Sequence, residues 1–251
     1  MPLMRYFIYL SYNGSAFNGW QIQDNARSVQ QEIQQALSTL LKETITVTGA
    51  GRTDTGVNAI NYVAHFDCCE ITQSESVFTY KINAILPKEI VIHKLLKVSD
   101  SAHARFHATS RTYRYYIHLD KDPFCNGFSY HVKGGEIDIE KMNRAASYLL
   151  GEKDFSSMEK VNGGNKTSVC NVTSAFWSPA GNGHYVFEIT ANRFLRNMVR
   201  AIVGTLIEVG TGKREPEWVE EVLESGQRGK AGQSVPGTAL FLTEIKYPFI
   251  S

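Results

Sequence analysis

Apolar and polar positions alternate along the first strand-like run, Tyr6 to Tyr12, in the manner of a half-buried strand. The pattern then changes period. Ser28-Val29-Gln30-Gln31 reads as a capping box, and Val29, Ile33, Leu37 and Leu40 fall on one helical face behind it. Ile45–Thr48 and Ile60–Phe66 return to strand character on either side of a glycine-rich turn. The spacing predicts a second helix over Glu75–Ile85, stopped by Pro87, and a strand over Ile90–Val98. The order is βαββαβ.

The second half repeats it. Arg111–Leu119 is strand-like, and Ile139–Leu150 is helix-like with Gly151 as its C-cap. Phe176 and Tyr185–Thr190 belong to two strands divided by the turn Ala180-Gly181-Asn182-Gly183. Helices are predicted over Phe194–Val209 and Pro216–Leu223, and a last strand over Leu240–Tyr247. Two such units predict an α+β protein of two ferredoxin-like halves with antiparallel or mixed sheets and a central cleft. The division falls near 104/105, giving domains 1–104 and 105–251. Glu159–Lys166, with Asn162-Gly163-Gly164-Asn165, reads as a mobile surface loop.

The 251 residues are 43% hydrophobic and 20% charged, as in an ordinary globular protein. No apolar run approaches the roughly 20 residues needed to span a bilayer, and the N-terminus does not read as a signal peptide. Cys68, Cys69, Cys125 and Cys170 show no CxxC spacing, so neither a metal nor a disulfide framework is expected, and a reducing cytoplasm is. The net charge of +1 says little, but its distribution says more. Ser101–Leu119 has no acidic residue and interleaves Arg105, Arg111 and Arg114 with Phe106, Tyr113, Tyr115 and Tyr116. Ile189–Ile207 also lacks acids and carries Arg193, Arg196 and Arg200, which a helix from Phe194 would place on one arc. Such runs can neutralise phosphates and stack bases, or can be solvated outer faces.

Candidate chemistry centres on Gly49-Ala50-Gly51-Arg52-Thr53-Asp54-Thr55-Gly56-Val57. Its glycines allow bends and close approach, Arg52 suits a phosphate, and Asp54 offers a carboxylate nucleophile or base. Asp54-Thr55-Gly56 also matches the short aspartic protease signature. That reading needs a second copy and an apolar approach to the aspartate; there is no second copy, and Arg52-Thr53 stands in the approach. Gly210-Thr211-Gly212-Lys213 imitates the end of a P-loop, but Ile207 occupies the place of its first glycine, so a helix cap is expected. His103 and His107 have metal-like spacing without a ligating Glu or Cys nearby, and a loop pair without metal is favoured. Trp20, ahead of Gln21 and Gln23, fits a core position or an RNA-facing one.

Taken in order, these features resemble the TruA-type tRNA pseudouridine synthases. The matching residues include Phe17-Asn18-Gly19-Trp20-Gln21, Gly51-Arg52-Thr53-Asp54 with Gly56-Val57, His65-Phe66, Leu86-Pro87, Ala104-Arg105-Phe106, Arg111 with Tyr113-Arg114-Tyr115, and Phe194-Leu195 with Met198-Val199-Arg200. The resemblance implies an enzyme that isomerises uridine at positions 38, 39 or 40 of the tRNA anticodon arm, as a homodimer, with no cofactor and no metal. It implies Asp54 as the catalytic carboxylate, Tyr113 stacked on the target base, Arg200 paired with the aspartate, and Leu240 in the pocket. Arg52, Arg105 and Arg111 would then contact RNA. A catalytically silent RNA-binding relative is the competing expectation. Asn58, Tyr62, Cys170 and Ala239 depart from the family pattern (usually histidine, glutamine, arginine and glycine). Their placement around the catalytic loop and an RNA-facing strand predicts a shifted choice of uridines.

Overall fold

The computed structural model describes residues 3–125, 127–161, 163–164 and 166–250. Asn162 and Asn165 of the expected surface loop therefore lie outside the described residues. The chain forms two compact units. The first is Met1–Thr109 with Leu242–Ser251, and the second is Ser110–Phe241. The division thus falls five residues beyond the one read from sequence, and the C-terminal segment belongs with the first unit rather than the second.

The first unit holds β1 (Met4–Tyr12), α1 (Val29–Leu41), β2 (Val47–Gly49), β3 (Asn58–Cys68), α2 (Glu75–Ile85) and β4 (Ile90–Val98), in the expected βαββαβ order. β1 lies between β3 and β4, antiparallel to both, and β2 pairs with β3. Ser28 caps α1, its hydroxyl accepting the Gln31 N–H at 3.4 Å. Ser74 does the same for α2 with Val77. Each cap satisfies a donor that the helix cannot use itself. Val29, Ile33, Ala36 and Leu37 of α1 and Phe78 and Ile82 of α2 are buried, which is the apolar stripe seen in the sequence.

Both faces of β1 are covered, so the strand is buried on two sides rather than half-buried as its alternation predicts. On one face Tyr6 stacks on Phe66, its register partner on β3. On the other, Phe7 meets Tyr247 and Phe249 edge-to-face at 5.3 and 6.0 Å. The Tyr247 hydroxyl donates to the Ala104 carbonyl at 2.6 Å, fastening the C-terminal segment. Burying an aromatic or large aliphatic side chain contributes about 1.5–3 kcal/mol, so this segment is a substantial part of the first core.

The second unit holds β5 (Ser110–His118), β6 (Tyr130–His131), α3 (Ile139–Ser147), β7 (Gly151–Asp154), β8 (Val169–Gly181), β9 (His184–Ala191), α4 (Met198–Gly210) and α5 (Trp218–Ser225). A last strand, β10 (Leu240–Lys246), runs from this unit into the first. The sheet order β5-β9-β8-β7 is antiparallel throughout, and β6 adds to β5 in parallel. α3 and α4 supply the buried Met142, Ala145, Ala146, Met198, Ile202, Val203 and Leu206.

Three expectations need correction here. α3 ends at Ser147, and Gly151 opens β7 with φ +91° instead of capping the helix. α4 begins at Met198, because Asn197 takes a left-handed φ of +67° and stops the helix from extending back to Phe194. Arg193 and Arg196 are therefore not on the helical arc with Arg200. The Gly210–Lys213 segment is the helix cap that was expected. Thr211 N–H donates to Ile207 and Lys213 N–H to Glu208, with Gly212 at φ +73°.

Candidate active site

Asp54 sits on the connection between β2 and β3, and that connection is pinned along its whole length. Ala50 N–H donates to the Val63 carbonyl at 2.9 Å. Gly51 N–H donates to the Tyr62 hydroxyl at 3.3 Å, and the same hydroxyl donates to the Gly51 carbonyl. The hydroxyls of Thr53 and Tyr12 are bonded at 2.9 Å, and Trp20 N–H donates to the Thr53 carbonyl at 3.3 Å. Val57 N–H closes a turn onto the Asp54 carbonyl at 3.1 Å, with Gly56 at φ +79°. Behind it Asn58 Oδ1 accepts the Gly14 N–H at 2.8 Å. The result is a loop with Thr53 buried, Asp54 half-buried and Arg52 exposed.

Glycine is required where this loop meets its neighbours. A Cβ on Gly19, itself at φ +91°, would lie 2.4 Å from the Thr53 carbonyl oxygen. A Cβ on Gly49 would come within 2.5 Å of the Trp20 ring. Both distances are far inside van der Waals contact, so backbone and ring reach the loop only because no side chain intervenes.

Trp20 belongs to the core. It is buried and stacks on Tyr62 with ring centroids 4.1 Å apart, while Tyr12 packs edge-on against Tyr62 at 5.7 Å. Such aromatic contacts contribute about 0.5–1.5 kcal/mol beyond area burial. Tyr62 and Asn58 were read as departures that alter RNA choice. Their side chains point inward, Tyr62 onto Gly51 of the Asp54 loop and Asn58 onto Gly14. Cys170 and Ala239 are buried as well, and burial pushes the Cys170 thiol up to about 11. None of the four offers a side chain to solvent, and Asn58 and Tyr62 lie beside the Asp54 loop as the sequence reading placed them.

Arg105 lies in the first unit, exposed, with its guanidinium 5.9 Å from the Phe106 ring centroid. Beside it, His103 Nδ1 accepts the Arg105 N–H at 3.1 Å, and His107 Nδ1 accepts the His103 N–H at 3.2 Å. Those nitrogens cap a turn.

In the second unit, Tyr113 on β5 is half-buried, held edge-to-face by Phe194 at 5.1 Å and 85°. Arg111, two residues earlier on the same face of β5, donates to the Asn192 carbonyl at 2.8 Å. Arg114 points to the other face, where it pairs with Glu188 at 2.6 Å.

Arg200, in the first turn of α4, is locked to a strap formed by residues 228–236. Its Nε donates to the Val235 carbonyl at 2.7 Å, and Val235 N–H donates back to the Arg200 carbonyl at 3.2 Å. The strap is itself held by Ser234, whose hydroxyl accepts from Asn197 Nδ2 at 2.6 Å and from Arg228 at 2.7 Å. Gly204 lets the strap lie against the helix, since a Cβ there would be 1.8 Å from the Gln233 carbonyl oxygen. Leu240, just beyond the strap, is buried. The strap escaped the sequence reading. Its only signal was the glycine- and proline-rich run Gly232-Gln233-Ser234-Val235-Pro236-Gly237, which has no periodicity.

The model of a protein family described as tRNA pseudouridine synthase matches residues 8–107 and 145–248. A relative from Porphyromonas gingivalis, named tRNA pseudouridine synthase A, is 47% identical over 248 residues, covering 98% of each chain. One of the same name from Parabacteroides distasonis is 48% identical over 246 residues, covering 98% of this chain and 97% of its own. A Clostridium perfringens protein named tRNA pseudouridine synthase A 2 is 39% identical over 240 residues, covering 95% and 97%.

Proposed function

This chain belongs to the tRNA pseudouridine synthase family and is an isomerase, and we propose that it converts uridine to pseudouridine at positions 38, 39 and/or 40 of the anticodon stem-loop, with Asp54 as the catalytic carboxylate. The observation that carries this reading is the Asp54 loop. A half-buried carboxylate follows an exposed arginine by two residues, on a backbone fixed by Tyr12, Trp20 and Tyr62. Preorganisation of this kind spares the enzyme the cost of ordering its reacting group at each turnover.

The reaction breaks the N1–C1′ bond, turns the uracil, and joins C5 to C1′. The C5 proton leaves and N1 gains one, so no oxidation state changes and the proposed chemistry calls for no redox cofactor. Asp54 attacks the sugar or the base, or promotes glycal formation. Tyr113, its ring already held by Phe194, stacks on the displaced base and offsets part of the few kcal/mol lost on unstacking. The Arg200 guanidinium, anchored by the strap, serves as the partner of the carboxylate. Arg52, Arg105 and Arg111 meet phosphates, and Leu240 lines the base pocket. A homodimer working in the cytoplasm completes the reading.

The test is tritium release from unmodified tRNA carrying [5-³H]uridine, comparing the wild type with Asp54→Asn. Release by the wild type and its loss in the variant supports the assignment. Release that survives Asp54→Asn refutes the role of Asp54, and tRNA binding with no release by either protein refutes catalysis.

A further inference from the structure

Cys125, which the reaction does not use, stands in a cluster of three different donor types. Its Sγ lies 3.2 Å from Asp122 Oδ2 and 4.0 Å from His184 Nδ1. Sulfur, oxygen and nitrogen all fall within 4.8 Å of one another. From metal–ligand bonds of 2.0–2.3 Å, a tetrahedral zinc centre places its donors about 3.3–3.8 Å apart. The two separations from the sulfur, 3.2 and 4.0 Å, bracket that range, and the oxygen and nitrogen lie within 4.8 Å of each other.

Local structure aims them inward. Asp122 spends only one carboxylate oxygen on its own loop, Oδ1 accepting the Phe124 N–H at 2.8 Å, which leaves Oδ2 turned to the sulfur. The Cys125 carbonyl accepts the N–H groups of Phe128 and Ser129, fixing the turn that carries the thiol. His184 opens β9, and its ring is backed by the His118 ring at 5.9 Å and 23°. His118 is oriented in turn by a 2.8 Å bond from Nδ1 to the Ser129 hydroxyl. Asp122 also borders a cleft of about 490 Å³ that Lys121, Tyr130 and His131 help to line.

We propose that Asp122, Cys125 and His184 form a binding site for a divalent ion of zinc type, which staples the loop after β5 to the β8–β9 hairpin. Thiolate with imidazole selects a borderline-soft ion over magnesium or calcium. On binding, the Cys125 S–H bond breaks, its electron pair forms the sulfur–metal bond, and the proton goes to solvent. All three ligands belong to the second unit, and none is among the residues proposed for the isomerisation, so the ion is structural.

The experiment uses the full chain, reduced and stripped by a chelator, then titrated with zinc or cobalt(II) and dialysed. The wild type is expected to retain one ion per chain, to gain melting temperature, and to show a thiolate-to-cobalt charge-transfer band. Cys125→Ser and His184→Asn are each expected to weaken binding at least about tenfold, with Asp122→Asn as a milder variant should either fail to fold. Cys69→Ser, at an exposed thiol elsewhere, is expected to leave binding unchanged. The proposal is overturned by no retained ion, by retention without the thiolate band, or by a band that survives loss of Cys125.

Discussion

Replacing Tyr62 with phenylalanine tests whether the aromatic clamp positions Asp54. The substitution keeps the ring that stacks on Trp20 at 4.1 Å and removes only the hydroxyl. That hydroxyl serves both the N–H and the carbonyl of Gly51, three residues before Asp54. Losing a bond in a buried site costs about 0.5–1.5 kcal/mol, and leaving a carbonyl unpaired costs about 1–3 kcal/mol. Gly51 is only half-buried, so water recovers part of this, and a net loss of about 1–2 kcal/mol is expected. The melting temperature should fall by about 3–8 °C, a range set by the size of the unit. A domain with a typical stability of about 5–15 kcal/mol stays folded at 25 °C after such a loss. Turnover measured there by tritium release at saturating tRNA reads loop geometry rather than unfolding. A fall of about tenfold or more is expected, since displacements near 1 Å can cost about a hundredfold. A lowered melting temperature with unchanged turnover would refute the view that Tyr62 positions the carboxylate. A melting temperature within about 1 °C of wild type would refute the bonds themselves.

Other consequences follow from the same geometry. Gly204→Ala forces a methyl group against the Gln233 carbonyl and should cost about 1–3 kcal/mol by overpacking, read by urea unfolding, with turnover falling as the strap on Arg200 shifts. Phe194→Ala frees the Tyr113 ring and should lower turnover more than it lowers tRNA affinity, measured by tritium release and filter binding. Burial depresses His65 to about 4, and its Nδ1 accepts the Ala104 N–H, which requires an unprotonated nitrogen. Its folded pKa lies below its unfolded value of about 6.5, so the unfolded chain binds more protons in between. The stability it contributes is present above about pH 6.5 and is lost as pH falls toward 4. Urea midpoints across that window should decline in the wild type and flatten in His65→Gln. Equal slopes in the two proteins would refute the assignment.

The parts of the fold that were legible in the sequence are those governed by local rules. α2 runs over Glu75–Ile85 as its periodicity predicts, because Ser74 starts it and Pro87 forbids its continuation. The β8–β9 hairpin follows from Gly181 and Gly183, whose φ values of +118° and +67° few other residues adopt. The start of α4 was not legible. Leu195 continues the apolar spacing of Val199 and Ile202 and is buried, but it reaches the core from a non-helical segment. Periodicity records which side chains face inward, and a buried loop residue satisfies it as well as a helical one.

The Asp54 loop divides along the same line. Gly51-Arg52-Thr53-Asp54 was visible as a motif, but what holds it in place was not. Tyr12, Trp20 and Tyr62 come from β1, from a loop before α1, and from β3, and no spacing rule links them to Asp54. Residues that depart from the family pattern, placed around the loop and an RNA-facing strand, were therefore read as altering the choice of uridine. At Asn58 and Tyr62 the side chain points inward instead. Each is a buried polar group, and a buried polar group without a partner costs more than it can return. Each has one, Asn58 in Gly14 and Tyr62 in Gly51, and both bonds run to the backbone rather than to another side chain. A backbone partner is indifferent to which side chain supplies the matching atom. A different polar residue at these positions can therefore support the same loop, and the change need not alter which uridine is chosen. Exchanging Asn58 for histidine should accordingly shift the melting temperature more than it shifts the pattern of modified positions, read by mapping pseudouridine in tRNA treated with each protein. A changed pattern at unchanged stability would return these residues to the RNA-facing role that the sequence first suggested.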